Sequence, residues 1–151
     1  DRIAVLNQGR LEQFDTPETI YHMPQTPFVA DFVGQADFIP GTVSNGMVHT
    51  ELGEFPNTLD CEDGTAVVVM IRPDDIHLVP TKGATSHVLS RQFRGSENLY
   101  AVSLPSGQIV HSSQSSTSVY QEGTPVELRV LASHTVLFKQ AGSAANIESL
   151  H

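Results

Sequence analysis

The sequence contains no tryptophan and a single cysteine, Cys61. One cysteine excludes an internal disulfide and a thiolate metal cluster, and it favours a reducing compartment. Cys61 stands among the acidic residues Asp60, Glu62 and Asp63. Acidic neighbours do not activate a thiol nucleophile, so a cysteine in a loop is the better interpretation.

Basic residues and long apolar runs are also scarce. Lys and Arg number 8 against 17 Asp and Glu, which gives a formal net charge of -9. Nucleic-acid binding depends on clustered basic residues, so we expect no nucleic-acid partner and a cytoplasmic surface. The longest apolar run, residues 66–71, fits a buried strand rather than a membrane span. No signal peptide is apparent, and the absence of an initiator Met suggests a segment of a longer chain.

The motifs of the common catalytic and binding sites are missing from the sequence. It contains neither Gly-x-x-x-x-Gly-Lys-Ser/Thr nor Gly-x-Gly-x-x-Gly, the loops that bind nucleotide phosphates. No serine stands in a Gly-x-Ser-x-Gly turn, and no two histidines are four residues apart. We therefore expect no catalysis, cofactor or metal in this segment. The histidines are His22, His49, His77, His87, His111, His134 and His151.

The first 35 residues predict a hairpin followed by two short helices. Residues 3–14 contain two apolar stretches around a turn at Gly9. Thr-Pro pairs at 16–17 and 26–27 are typical of helix starts, because threonine caps the helix and proline needs no amide hydrogen there. Gly34 is placed at the end of the second helix. The apolar stripe of that helix comprises Phe28, Val29, Phe32 and Val33.

Beyond residue 35, helical spacing gives way to short strands with turn signals, among them Asn45-Gly46. Many short strands with regular turns indicate a small barrel of the OB type over residues 36–140, with a tail at 141–151. The fold class is thus mainly β, with a hairpin and two short helices ahead of the barrel. The predicted strands are 38–44, 47–52, 66–71, 76–79, 87–93, 99–104, 108–112, 126–130 and 135–138.

Arg72 directly follows the apolar strand 66–71, so its guanidinium is expected to be partly buried. A buried guanidinium needs carboxylate or carbonyl partners, which fits a structural anchor at the barrel edge. It also fits a contact to an anionic ligand, to which Arg91, Arg94 or a histidine would contribute. Both interpretations remain open at this point.

The residues match a known family in several places. Residues 1–13 (DRIAVLNQGRLEQ), 16–18 (TPE) and 28–34 (FVADFVG) resemble the end of the nucleotide-binding domain of ABC-importer ATPases. Val69-Met70-Ile71-Arg72-Pro73-Asp74 is similar to the recurrent strand of the TOBE regulatory domain, with Asp74 in place of the usual Glu. Residues 92–95 (QFRG), Tyr100 and residues 104–107 (LPSG) resemble the strands that follow.

This resemblance implies a regulatory and dimerisation domain after an ATPase remnant at residues 1–35. ATP and Mg²⁺ would belong to the full-length parent, which would lie at the cytoplasmic face of the inner membrane through its permease subunits. The expected partners are a second copy of the chain, the permease, and a small solute or a regulatory protein. Ferric iron is the predicted cargo of the importer; the alternative is a solute- or oxyanion-sensing domain of a polyamine, sulfate or sugar importer.

The resemblance also predicts which residues take part in contacts. The candidate regulatory or anion contacts are Arg72, Arg91 and Arg94. The candidate interface is formed by Phe28, Val29, Phe32 and Val33, because these residues would pack on an ATPase core. We expect residues 1–34 to pack on the barrel of their own chain or to swap onto a partner chain.

Overall fold

The computed structural model describes residues 1–131 and 135–140. Contacts divide this part of the chain into two compact units, residues 1–70 with 135–140 and residues 71–131. The predicted boundary near residue 35 rests on the change from helical to strand spacing and on the resemblance, and it stays a prediction. The predicted tail at 141–151, together with His134 and His151, lies outside the described residues. In the described residues, no helix has the length and apolar character needed to cross a membrane.

The first unit begins with the predicted hairpin and helices. The hairpin pairs β1 (Ile3–Asn7) with β2 (Arg10–Asp15), and the helices are α1 (Pro17–His22) and α2 (Pro27–Val33). The hydroxyls of Thr16 and Thr26 accept hydrogen bonds from the third amide of each helix, at 3.2 and 3.3 Å. The predicted caps are confirmed. Gly34 does follow α2, but its φ of 173° is extended, so it does not use the left-handed conformation that usually selects glycine there.

Helix α2 packs on two sides within this unit. Val29 is buried with Val5 and Ile20, while its neighbour Ala30 belongs to the apolar core of the adjacent strands. Consecutive helical residues point about 100° apart, so one short helix contacts both groups. Residues 1–34 therefore pack on their own chain, against residues such as Phe38 and Val68 that the sequence assigns to the barrel over 36–140. The core around Ala30 contains Ala36, Phe38, Val68, Met70, Val136 and Phe138.

A five-stranded sheet completes the first unit, in the order β12-β6-β3-β4-β5. Asn45 and Gly46 have φ of 53° and 76°, as the predicted two-residue hairpin turn between β3 and β4 requires. β6 is an inner strand with five consecutive buried residues, which confirms the predicted central strand. β5 was not predicted. The strands are β3 (Asp37–Ser44), β4 (Met47–Thr50), β5 (Gly53–Pro56), β6 (Ala66–Ile71) and β12 (Val136–Lys139).

The second unit holds another five-stranded sheet, in the order β10-β9-β8-β11-β7, preceded by a 3-10 turn at Pro73–Asp75. Its two outer strands are joined by side chains. The Ser112 hydroxyl and the Gln114 amide of β10 donate to the Ile76 carbonyl of β7, at 2.5 and 3.2 Å. A five-stranded sheet closed in this way is the OB-like barrel that the sequence predicts. The strands are β7 (Ile76–Pro80), β8 (Ser86–Phe93), β9 (Glu97–Ser103), β10 (Ile109–Ser115) and β11 (Pro125–Val130).

Candidate functional site

The most exposed regular structure of the second unit is the end of the β8–β9 hairpin, residues 89–97, which we call the arm. Every residue of the arm is exposed, and Phe93 exposes 67% of its surface to solvent. The hairpin turns at Gly95, which has a φ of 80°. Two-residue hairpin turns need a positive φ at their first central residue, and glycine adopts it without strain. The Arg94 amide donates to the Glu97 carbonyl at 2.8 Å and closes the turn.

One edge of the arm is open. β9 pairs with β8 as far as Phe93, whereas β11 pairs with β8 only at Ser86 and His87. The amide of Val88 still donates to the Thr124 carbonyl, at 3.0 Å. Beyond Val88, a register shift interrupts the strand, and no further pairing along that edge is found within residues 1–131 and 135–140. The arm therefore presents unpaired main-chain groups to solvent.

The other strand of the hairpin is fixed by buried polar side chains. The Asn98 amide donates to the carbonyls of Ser116 and Ser118, at 3.3 and 3.2 Å. The Tyr100 hydroxyl donates to the Ser118 carbonyl at 2.6 Å and accepts from the Tyr120 amide at 3.0 Å. Asn98 and Tyr100 have no accessible surface. β9 is thus attached to the segment after β10 at the base of the arm, where it also pairs with β8.

The predicted arginines fall into two different environments. Arg91 and Arg94 are exposed on the arm, where the Arg94 guanidinium donates to the Gln92 side chain at 3.1 Å. Arg72 is only 3% exposed and precedes the 3-10 turn Pro73–Asp75. Its burial agrees with the sequence-based expectation, and it leaves Arg91 and Arg94 as the arginines of this set that a dissolved ligand reaches.

The candidate interface residues of α2 also differ in exposure. Val29 has no accessible surface and packs with Val5 and Ile20, while Phe28 and Val33 are partly buried against the same cluster. Phe32 is 66% exposed and stacks beside Phe28, with ring centroids 5.8 Å apart. The interface on α2 stays a prediction, and its accessible surface comes mainly from Phe32.

An open groove of about 360 Å³ lies on the five-stranded sheet of the first unit. His49 lies in it with both ring nitrogens engaged, by the Glu54 carboxylate and the Ser44 carbonyl, each at 3.2 Å. No group of three potential metal ligands is found among the residues that the structure describes. The lining residues are Pro40, Gly41, Thr42, His49, Thr50, Glu51, Ala66 and Gln140.

Comparison with protein families supplies the identity of these strands. Residues 69–138, which run from β6 to β12, match the family described as "TOBE domain". The chain carries a TOBE domain. This match agrees with the resemblance read from residues 69–74, and it extends over the whole second unit.

The TOBE-containing chain is similar to ATP-binding proteins of importers. It is 35% identical over 146 residues to the spermidine/putrescine import ATP-binding protein PotA of Pseudomonas aeruginosa (strain UCBPP-PA14), covering 83% of this chain and 40% of that protein. It is 40% identical over 76 residues to the sulfate/thiosulfate import ATP-binding protein CysA of Xanthomonas campestris pv. campestris, covering 50% of this chain and 22% of that protein. The chain matches the TOBE-containing end of ABC-importer ATP-binding subunits and spans less than half of their length.

A solved structure shares the fold of the TOBE-containing chain. The cytoplasmic molybdate-binding protein ModG, crystallised with molybdate bound, superposes with a TM-score of 0.56 and 16% sequence identity. The match covers 67% of this chain and 94% of ModG. At this identity the likeness concerns the fold alone, and it agrees with the predicted OB-like barrel.

Proposed function

We propose that this chain is the regulatory and dimerisation segment of the ATP-binding subunit of an ABC importer, with no catalysis of its own. The names of its relatives support a place in an importer subunit. The absence of phosphate-binding loops from the sequence supports the non-catalytic role. ATP and Mg²⁺ belong, in this proposal, to the remainder of the subunit. The subunit would act at the cytoplasmic face of the inner membrane, held there by its permease.

The observation that carries the proposal is the exposed arm of the TOBE domain. Its open strand edge and the exposed Phe93 stand on a base that buried Asn98 and Tyr100 hold in place. An exposed, unpaired strand edge suits contact with another protein surface better than it suits a reaction in solution. A domain that contacts its partner in one state of the importer shifts the population towards that state.

The transported solute is a separate step of the proposal. Ferric iron, the cargo predicted from the sequence, receives no support from the relatives reported above, whose names specify spermidine/putrescine and sulfate/thiosulfate. Those names favour the alternative prediction, and we propose a polyamine as the cargo. Uptake of labelled spermidine, sulfate and ferric iron by a strain that lacks the parent subunit would distinguish the three.

Sedimentation equilibrium of the 151-residue chain over a wide concentration range tests the dimerisation role. We expect a dimer that Phe93→Ser weakens by about tenfold, because an aromatic anchor at an interface commonly contributes more than 1 kcal/mol. Phe32→Ser is the matched control, since it removes a similarly exposed phenylalanine from α2. A monomer at all concentrations, or a dimer lost only with Phe32→Ser, would remove the support for a dimerising TOBE domain.

Solute sensing is the second candidate function, and exposed Arg91 and Arg94 favour it. An accessible guanidinium suits an oxyanion because it donates paired hydrogen bonds, and the molybdate in ModG shows that a protein of this fold binds an oxyanion. A native-state ligand at a hundred times its dissociation constant stabilises a protein by about 2.7 kcal/mol. Thermal unfolding with sulfate, molybdate, spermidine and ferric citrate therefore tests it. A shift that Arg91→Gln abolishes and Arg129→Gln preserves supports sensing; no shift with any solute contradicts it.

A further inference from the structure

The hydrogen-bond pattern of the arm determines which main-chain N–H and C=O groups point towards its open edge. The Arg94 amide donates to Glu97, so this pair is hydrogen-bonded, and the antiparallel register continues in step from there to Ser90. Hydrogen-bonded and non-hydrogen-bonded pairs alternate in such a ladder. Gln92 is therefore bonded to β9, whereas Arg91 and Phe93 direct their N–H and C=O groups away from it, towards the open edge.

We propose that this edge pairs in antiparallel fashion with the same edge of a second copy, on a two-fold axis at Gln92. The inference rests on the proposed dimerisation and names its surface. A strand edge carries donors and acceptors in equal number, so two identical edges are complementary about a two-fold axis. With the axis at Gln92, Arg91 of each copy is opposite Phe93 of the other, and both residues exchange their free main-chain hydrogen bonds.

The side chains select this register over its two neighbours. An axis at Arg91 would place two guanidiniums opposite each other, and like charges directly opposite destabilise a sheet. An axis at Phe93 would leave Arg91 opposite Gly95, which lies in the turn and not in the strand. Only the axis at Gln92 pairs the outward N–H and C=O groups of both Arg91 and Phe93 in each copy. It also brings the Arg91 guanidinium of each copy to the Phe93 ring of the other, a favourable cation–π contact.

The charges of the arm bear on the register of the pairing. The chain has a net charge of -9 and only 8 basic residues, two of which are Arg91 and Arg94. A charged residue on an edge strand usually prevents pairing. Here the Gln92 register moves Arg91 away from its counterpart and onto Phe93 of the other copy. The contact spans few residues, which suits an association that forms and opens during a transport cycle.

A cysteine cross-link tests the register directly. In a Cys61→Ser background, Gln92→Cys places two thiols in a non-hydrogen-bonded pair, whose Cα atoms are about 4.5 Å apart. This distance lies within the range that a disulfide spans. Ser90→Cys is the matched control, because it is exposed on the same strand, while its two copies would be four residues out of register, about 13 Å apart. We expect Gln92→Cys to form the oxidised dimer at least ten times faster than Ser90→Cys.

The outcomes separate this inference from the proposed function. Equal cross-linking of both variants, or faster cross-linking of Ser90→Cys, overturns the register. A dimer in sedimentation that Phe93→Ser weakens, but that Gln92→Cys does not link, keeps the dimerisation role and rejects this pairing. A chain that stays monomeric and forms no cross-link rejects both, and the arm would then contact a different protein.

Discussion

At the scale of single residues, Tyr100 ties the segment after β10 to the barrel. Its hydroxyl donates to the Ser118 carbonyl and accepts from the Tyr120 amide, and its ring lies 5.3 Å from that of Tyr120. The Ser118 carbonyl keeps a second donor in the amide of Asn98. The Tyr120 N–H is therefore the group that depends most on this hydroxyl.

We expect Tyr100→Phe to lower the free energy of unfolding by about 1–2 kcal/mol, because it leaves that amide without an acceptor. Urea unfolding followed by far-UV circular dichroism measures the change. Hydrogen exchange of the Tyr120 amide should accelerate as well. Tyr120→Phe is the matched control, since no hydrogen bond of its hydroxyl is found within the described residues. Equal losses for the two variants would contradict this account.

At the scale of elements, the barrel is closed by side chains instead of a strand ladder. Ser112 and Gln114 both donate to the Ile76 carbonyl, and the Gln114 amide also donates to the Ser112 hydroxyl, at 2.7 Å. The three groups are buried and share their hydrogen bonds. Loss of one donor leaves the others partly satisfied, so the effects of two substitutions should not add.

A double-mutant cycle with Ser112→Ala and Gln114→Ala measures this coupling. We expect each single variant to cost about 1–2 kcal/mol of unfolding free energy. Neighbours in one hydrogen-bond network differ from additivity by at least about 0.5 kcal/mol. Ser115→Ala, an exposed change on the same strand, should stay within about 0.5 kcal/mol of the parent. Strict additivity would indicate that the two side chains act independently.

Local signals in the sequence were sufficient for much of the fold. The Thr-Pro pairs at residues 16 and 26 predicted both helices, and Asn45-Gly46 predicted a hairpin, because caps and tight turns depend on residues within a few positions. β5 was not predicted from the sequence, because its four residues, Gly53–Pro56, include a glycine and a proline, which are rare in strands.

The candidate site was predictable only in part. The sequence located a strand at 87–93 and singled out Arg91 and Arg94. It did not reveal that both faces of the arm are exposed, since a strand of mixed residues usually buries one face. The bonds of Ser112 and Gln114 to Ile76 join positions 36 and 38 residues apart. Such contacts depend on the closed sheet, and no local pattern encodes them.

At the scale of the whole molecule, charge opposes the proposed association. Each copy has a formal net charge of -9, so two copies repel each other at long range. The pairing at Gln92 acts at short range, through main-chain hydrogen bonds and the contact between Arg91 and Phe93. Salt screens the long-range repulsion much more than the short-range pairing, because the Debye length falls from about 30 Å at 0.01 M to about 10 Å at 0.1 M.

We therefore expect the dimer of this chain to become tighter as salt is added. Between 10 and 300 mM NaCl, the dissociation constant should fall on the order of tenfold, as repulsion between the copies is screened. Sedimentation equilibrium at several NaCl concentrations measures it, with Phe93→Ser as the control that weakens the short-range contact at every concentration. A dimer that weakens with salt would point to another arrangement, in which Arg91 and Arg94 bind acidic residues such as Glu62 and Asp63 of the second copy. That result would contradict symmetric pairing of the arms, because Arg91 would then contact a carboxylate and not Phe93 of the second copy.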